Sequence, residues 1–319
     1  RETVTLLIDR LKTSAVLISI TAALLYLDAN MSPTGVEGIW LLPLLLFFSL
    51  GTAWDISGLL ANSSRPIRRR ITLLATATIT LSAYLPMMWP LFGAEYPPDC
   101  PVGKLGWIAI ATIASVFLLL IAEMVDYGKG PQGAIERACG GAFVSVYVGL
   151  PMALLVSLRS LGDGNWGLAA VLTMIAVTKS TDAGAYFSGK TFGKHKLIPR
   201  LSPGKTCEGA VGGILIATIV AFVCLKWLFP AIAGEAIGPV TTPSIPGLDQ
   251  PIWGALCLGP VLAITGMIGD LAESLVKRDS NAKDSGNLLP GLGGVWDVTD
   301  SLIAAAMPAF LCFVAGVAA

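Results

Sequence analysis

The chain has 319 residues, 54% of them hydrophobic and 13% charged, with 21 basic and 21 acidic residues cancelling to a net charge of zero. A soluble domain carries about 25% charged residues, and mean hydropathy here is +0.74. These figures exclude an ordinary cytosolic enzyme, a disordered chain and a nucleic-acid binder.

A bilayer span takes about 20 apolar residues. Nine apolar segments can be read in chain order: 13–29, 38–58, 71–93, 105–124, 138–158, 166–187, 209–230, 251–276 and 298–318. None alternates as a barrel strand would, so the expected fold is an all-α polytopic integral membrane protein with about nine transmembrane helices. Residues 1–165 hold about five spans and residues 166–319 about four.

Basic residues set the orientation. Arg1, Arg10 and Lys12 precede the first span, and Arg65, Arg68, Arg69 and Arg70 follow the second. Lys129 and Arg137 follow the fourth, and Lys190, Lys194, Lys196, Arg200 and Lys205 follow the sixth. Lys277, Arg278 and Lys283 follow the eighth. These alternate loops hold 17 of the 21 basic residues. The positive-inside rule then puts the N-terminus in the cytoplasm and the C-terminus outside. The first span is expected to direct insertion itself, so no cleavable signal peptide is expected. None of the six cysteines forms a C-x-x-C pair, and His195 is the single histidine. A zinc site and a redox pair are therefore not expected.

Polar groups are expected to collect in the second half; the first three spans are read as free of carboxylates in their apolar cores. Charge within or beside a span is costly and calls for a function. In the eighth span Asp270, Glu273, Ser274 and Lys277 fall at i, i+3, i+4 and i+7, on one helix face. The ninth opens with Asp297 and Asp300, three apart. The polar loop between them contains Lys283, Asp284 and the pair Gly293-Gly294. Clustered carboxylates repel unless a cation lies between them, and hard oxygen ligands without His or Cys suit Mg²⁺. The sixth span adds Lys179 and Asp182. The segment Ser202-Pro203-Gly204-Lys205-Thr206-Cys207-Glu208-Gly209 enters the seventh span, where hydroxyls, backbone N–H groups and Lys205 suit phosphate. Gly184 to Thr191 matches the P-loop pattern G-x-x-x-x-G-K-[ST], but without the strand that a P-loop follows it is read as a decoy. Some of Lys190, Lys194, Lys196 and Arg200 are read as charges that merely satisfy the positive-inside rule.

Ser274 to Asp300, S-L-V-K-R-D-S-N-A-K-D-S-G-N-L-L-P-G-L-G-G-V-W-D-V-T-D, resembles the signature of the phosphatidate cytidylyltransferases, or CDP-diacylglycerol synthases. Ser274, Lys277, Arg278, Lys283, Asp284, Gly293, Gly294, Asp297 and Asp300 fall in register with it. Upstream, Asp182, Ala185, Tyr186, Gly189, Gly193, Lys194, Lys196 and Leu197 look like the family's D-x-x-A-Y-x-x-G-+-x-x-G-K-x-K-L. The segment S-P-G-K-T-C-E-G resembles its S-P-K-K-T-x-E-G. The resemblance covers about residues 170–305. Three positions depart from the pattern: Leu292 replaces a His, Val298 an Arg and Gly204 a Lys.

The resemblance implies transfer of CMP from CTP to phosphatidate at the cytoplasmic side of an inner membrane, Mg²⁺ with room for a second cation, and a homodimer among membrane lipids. It implies Asp270, Asp297 and Asp300 as metal ligands, supported by Glu273 and Asp284. Lys277, Arg278 and Lys283 would neutralise phosphates. Asp182, Ser202, Lys205, Thr206, Glu208, Ser274, Gly293 and Gly294 would contact substrate. Three other readings compete: another CTP-dependent membrane lipid enzyme, an inactive homologue acting as a binding partner, and a transporter using Lys179, Asp182 and Asp270 as an ion path.

Overall fold

The computed structural model describes residues 2–33, 36–63, 65–128, 132–239 and 245–318. Arg1 and Lys129, two of the basic residues counted above, lie outside them. The helices are α1 (Glu2–Met31), α2 (Leu42–Asn62), α3 (Arg69–Ser82), α4 (Met88–Leu91), α5 (Gly103–Val125), α6 (Ala134–Arg159), α7 (Trp166–Phe192), α8 (Cys207–Val223), α9 (Phe229–Ala233), α10 (Pro251–Asp279) and α11 (Trp296–Val314). One antiparallel hairpin, β1 (Lys196–Ile198) with β2 (Ser202–Thr206), interrupts them. The chain is an all-α polytopic membrane protein with this one small addition, which the sequence reading did not foresee.

Among the described residues, 7 helices are long and apolar enough to cross a bilayer, or 8 if a bent pair counts as one span. The bent pair is α3 with Leu85–Leu91, at 50°. Pro86 and Pro90 explain the bend, since each removes a backbone donor from the helical ladder. Before the bend, Thr72, Thr76 and Thr80 each donate to a carbonyl one turn back. That keeps their hydroxyls satisfied in an apolar setting. The sixth apolar segment, α7, is not among the 7 because Lys179, Ser180, Thr181 and Asp182 dilute its second half.

The chain divides into two compact units: residues 1–156 with 276–299, and residues 157–275 with 300–319. In the first unit α3 packs on α2 and α5. Ile79, Tyr84, Met87, Ile108, Ala153 and Val156 form its main buried cluster. Near the first turn of α3, Arg68 pairs with Glu123 and Asp126, and Arg137 pairs with Glu123. Glu123 is buried, and two guanidiniums offset the cost of keeping its charge there.

In the second unit α7 and α8 lie side by side along most of their length. Small residues allow this. A Cβ on Gly213 would sit 3.1 Å from the Thr181 carbonyl oxygen, and one on Gly184 would sit 2.8 Å from Ile216. Close backbone approach through small residues is how helices associate where no hydrophobic effect acts between them. Trp166, Phe229 and Phe313 stack edge and face at the other end of this unit. Large apolar side chains such as Ile113, Phe117, Leu215 and Ile219 point outward, which a bilayer satisfies and water would not.

Candidate active site

The second unit contains a cleft of about 480 Å³, edged by charged side chains, at the end of α7, the hairpin and the start of α8. Asp182, Tyr186 and Lys190 from α7, Lys196 from β1, Lys205 and Thr206 from β2, and Asp270 from α10 line it. The hairpin register sets Lys196 opposite Thr206 and Ile198 opposite Ser202. Thr206 caps α8, its hydroxyl accepting from the Gly209 N–H at 3.1 Å. A Cβ on Gly189, Gly193 or Gly209 would each sit within 2.9 Å of the Thr206 side chain. The glycines of both upstream motifs thus pack around the cap that carries Lys205.

Glu208 holds this hairpin in place. Its carboxylate accepts from the Lys194 N–H at 3.0 Å, the His195 N–H at 3.1 Å and lies 2.6 Å from His195 Nδ1. It braces the loop that presents the lysines. The P-loop match at Gly184 to Thr191 lies in α7. Its amides are committed to the helix there and make no phosphate cradle.

Lys205 Nζ pairs with Asp270 Oδ2 at 2.6 Å. Asp270 also belongs to a carboxylate trio. One oxygen each from Asp270, Glu273 and Asp300 lies within 4.8 Å of the others. Glu273 and Asp300 are only 3% and 7% exposed. α10 and α11 approach closely here, since a Cβ on Gly269 would clash with the Asp300 carbonyl and sit 2.8 Å from Ala304. Asp300 Oδ1 accepts from the Ser301 N–H at 2.6 Å, and Lys179 donates to Ser301 Oγ at 3.0 Å. Three carboxylates this close, two of them buried, repel one another in a medium of low dielectric constant. An all-oxygen donor set of this charge fits Mg²⁺.

The first unit holds the signature loop. Asp297 Oδ2 accepts from the Ser285 N–H (3.0 Å), Ser285 Oγ (2.7 Å) and the Gly294 N–H (2.7 Å), and Lys277 donates to its Oδ1 at 2.9 Å. Asp55, on α2, accepts from Val295 N–H at 2.6 Å and Trp296 N–H at 3.2 Å. Those two donors open α11, so Asp55 caps the helix that carries Asp297. Gly293 has φ +99°, a conformation open to glycine. The place a Gly294 Cβ would take is filled by Ser285 Oγ and Asp55. The Gly-Gly pair thus admits protein carboxylates to its backbone. Arg278, Lys283 and Asp284 are exposed, while Ser274, Lys277 and Ser202 are half-buried.

A family model described as the cytidylyltransferase family matches residues 8–315. The chain belongs to that family. The chain is 40% identical over 151 residues to a phosphatidate cytidylyltransferase of Haemophilus influenzae, which covers 47% of each chain. It is 40% identical over 199 residues to the phosphatidate cytidylyltransferase of Brucella suis, covering 62% of each. A Chlamydia muridarum protein of the same name is 28% identical over 256 residues, 73% of this chain and 77% of that one. The chain thus spans about half to three-fifths of the length of the first two curated relatives.

Among the residues expected from the sequence, Asp182, Lys205, Thr206 and Asp270 share the cleft, and Asp270, Glu273 and Asp300 share the trio. Lys277, Gly294 and Asp297 meet around the signature loop. The sequence reading missed Asp55, which like Asp28 lies near the end of a span, beyond the apolar cores read as free of carboxylates. Asp28 is buried on α1, where it accepts from Ser32 Oγ and the Gly38 N–H. A buried acid near a helix end was visible in sequence, but its partner 240 residues away was not. Tyr186, Lys190 and Lys196 were also left out of the site, and they line the same cleft as Lys205.

Proposed function

We propose that this cytidylyltransferase transfers CMP from CTP to phosphatidate, forming CDP-diacylglycerol and pyrophosphate. One observation carries the reading. Asp270 is at once the partner of a cleft lysine and a member of the carboxylate trio. A triphosphate drawn to Lys205 in the cleft is thereby brought beside the carboxylates.

The residues supply positioning and charge. Lys190, Lys196 and Lys205 attract the triphosphate, and Thr206 and the α8 start orient it. Asp270, Glu273 and Asp300 would hold Mg²⁺, and Asp297, one turn before Asp300, stays in the proposed ligand set. Mg²⁺ there would supply charge neutralisation for the phosphates and the leaving group, and a second cation would add to it. The phosphatidate phosphate has its second pKa near 6, so it is mostly a dianion at neutral pH and needs little help from a general base. Its oxygen forms the new bond to the α-phosphorus in line. The bond from that phosphorus to the bridging oxygen breaks, and pyrophosphate leaves with the electron pair. Lys277, Arg278 and Lys283 neutralise the departing charge.

The same reading places nine spans in an inner membrane, α7 among them, with the N-terminus and the site on the cytoplasmic side. CTP is cytosolic and the phosphatidate headgroup lies at the interface, so a site at the inner ends of the last four spans meets both. The working unit is a homodimer. The deciding test is CMP transfer from labelled CTP to phosphatidate in detergent micelles, with and without Mg²⁺. Metal-dependent CDP-diacylglycerol is expected. No product from folded protein, over a panel of lipid phosphates, would remove the reading and bring forward the inactive-partner one.

A further inference from the structure

Two apolar grooves flank Phe47 and Pro43 on α2, within the first unit. The first, about 420 Å³, runs between α1 and α2 and is lined by Val16, Leu17, Ile20, Leu24, Phe47 and Leu289, with Lys12 at its edge. The second, about 370 Å³, is lined by Phe47, Leu50, Trp54, Leu73 and Leu288. Each is within the roughly 300–1,000 Å³ of ordinary ligand sites. Neither offers the polar groups that orient a soluble ligand.

Their shared wall is unusual. Leu288 and Leu289 are neighbours in the signature loop, and each lines a different groove. α1 holds that loop in place: Arg10 donates to the Gly291 carbonyl at 2.6 Å and Thr13 to the Pro290 carbonyl at 2.8 Å. From α2, Gly51 presses on Val295, where a Cβ would lie 2.7 Å from the valine side chain. Each groove has a cation nearby. Lys12 edges the first, and Arg69 stacks 3.1 Å above the Trp54 ring that lines the second.

Paired apolar channels with a cation at each suit an anionic lipid with two acyl chains. We infer that the grooves on either side of Phe47 receive the two acyl chains of the phosphatidate acceptor, with Leu288 and Leu289 of the signature loop closing over them. The loop whose Ser285 and Gly294 donate to Asp297 thus senses the seated lipid. Lys12 and Arg69 favour the phosphomonoester headgroup over a zwitterionic one. The assignment rests on the proposed acceptor, but its first test needs no turnover.

Phosphatidate carrying a photoactivatable diazirine near the end of one acyl chain is irradiated with the full chain in nanodiscs, and adducts are mapped by mass spectrometry. Adducts on Val16, Ile20, Leu24, Leu50 or Leu73, several-fold above those from a phosphatidylcholine with the same probe, support the assignment. Equal labelling by both lipids means bulk lipid contact only and overturns it. So does closure of the grooves by a second copy, seen as crosslinks between subunits. If CMP transfer is absent but selective labelling persists, the acceptor reaction falls while the lipid site stands. Where transfer is present, L17W and L50W, which fill one groove each, should raise KM for a long-chain phosphatidate about tenfold and leave KM for CTP within about twofold. A matched rise in both KM values overturns the assignment.

Discussion

Asp270 faces Lys205 on one side and Glu273 and Asp300 on the other. Replacing it with Asn removes the charge that both sets need. Asp270→Asn and Asp300→Asn are expected to lower kcat for CMP transfer at least about 100-fold, the scale for one electrostatic group acting on a transition state. Circular dichroism should stay unchanged, and near wild-type rates would sink the ligand assignment. Lys205→Ala should cost more than Lys190→Ala, because Lys205 has 23% of its side chain exposed and pairs directly with Asp270. The reverse order in steady-state kinetics would make Lys190 the main phosphate anchor. Asp55→Ala tests a purely structural role. It strips the cap from Val295 and Trp296, two bonds to a charged group, and should destabilise by about 2–3 kcal/mol, read from thermal unfolding in detergent.

At the scale of elements, the decisive pairing is α7 with α8. It depends on Gly209, Gly212 and Gly213 of α8, whose absent side chains leave room for Ala185, Ser188 and Thr181. Gly212→Leu should push the helices apart and cost about 1–3 kcal/mol. It should also raise KM for CTP, since the hairpin hangs from the same pair; a stable variant with unchanged KM would separate packing from the cleft. The glycine spacing in α7 and α8 was visible as a resemblance in sequence. What it meant was not, because close approach depends on which helix lies opposite. The hairpin escaped notice for a related reason: Lys196–Ile198 is only 3 residues long, and the 5 residues of Ser202–Thr206 include Pro and Gly, which read as a turn. Glu208 looked like a substrate residue from its place in the motif, whereas its contacts are with Lys194 and His195.

For the whole molecule, orientation is open to a direct test with native cysteines. Cys207 is exposed at the start of α8, and Cys100 lies between α4 and α5. If the N-terminus is cytoplasmic, a membrane-impermeant maleimide should label a variant keeping only Cys100 in spheroplasts, and one keeping only Cys207 in inverted vesicles. The opposite pattern would invert the topology and move the cleft away from cytosolic CTP.

Composition alone decided the class of this protein, because 54% apolar residues cannot be hidden from water by a chain of this length. The run lengths decided where the helices lie, and the alternating basic loops decided which orientation to expect. The motif from Ser274 to Asp300 decided the family, since its spacing is a property of one continuous stretch. Tertiary structure decided who meets whom. The Lys205–Asp270 pair, the trio with Asp300 and the capping of α11 by Asp55 join residues far apart in the chain. No periodicity encodes such pairs. They arise from which helix faces pack together, and glycines at the contacts determine how closely.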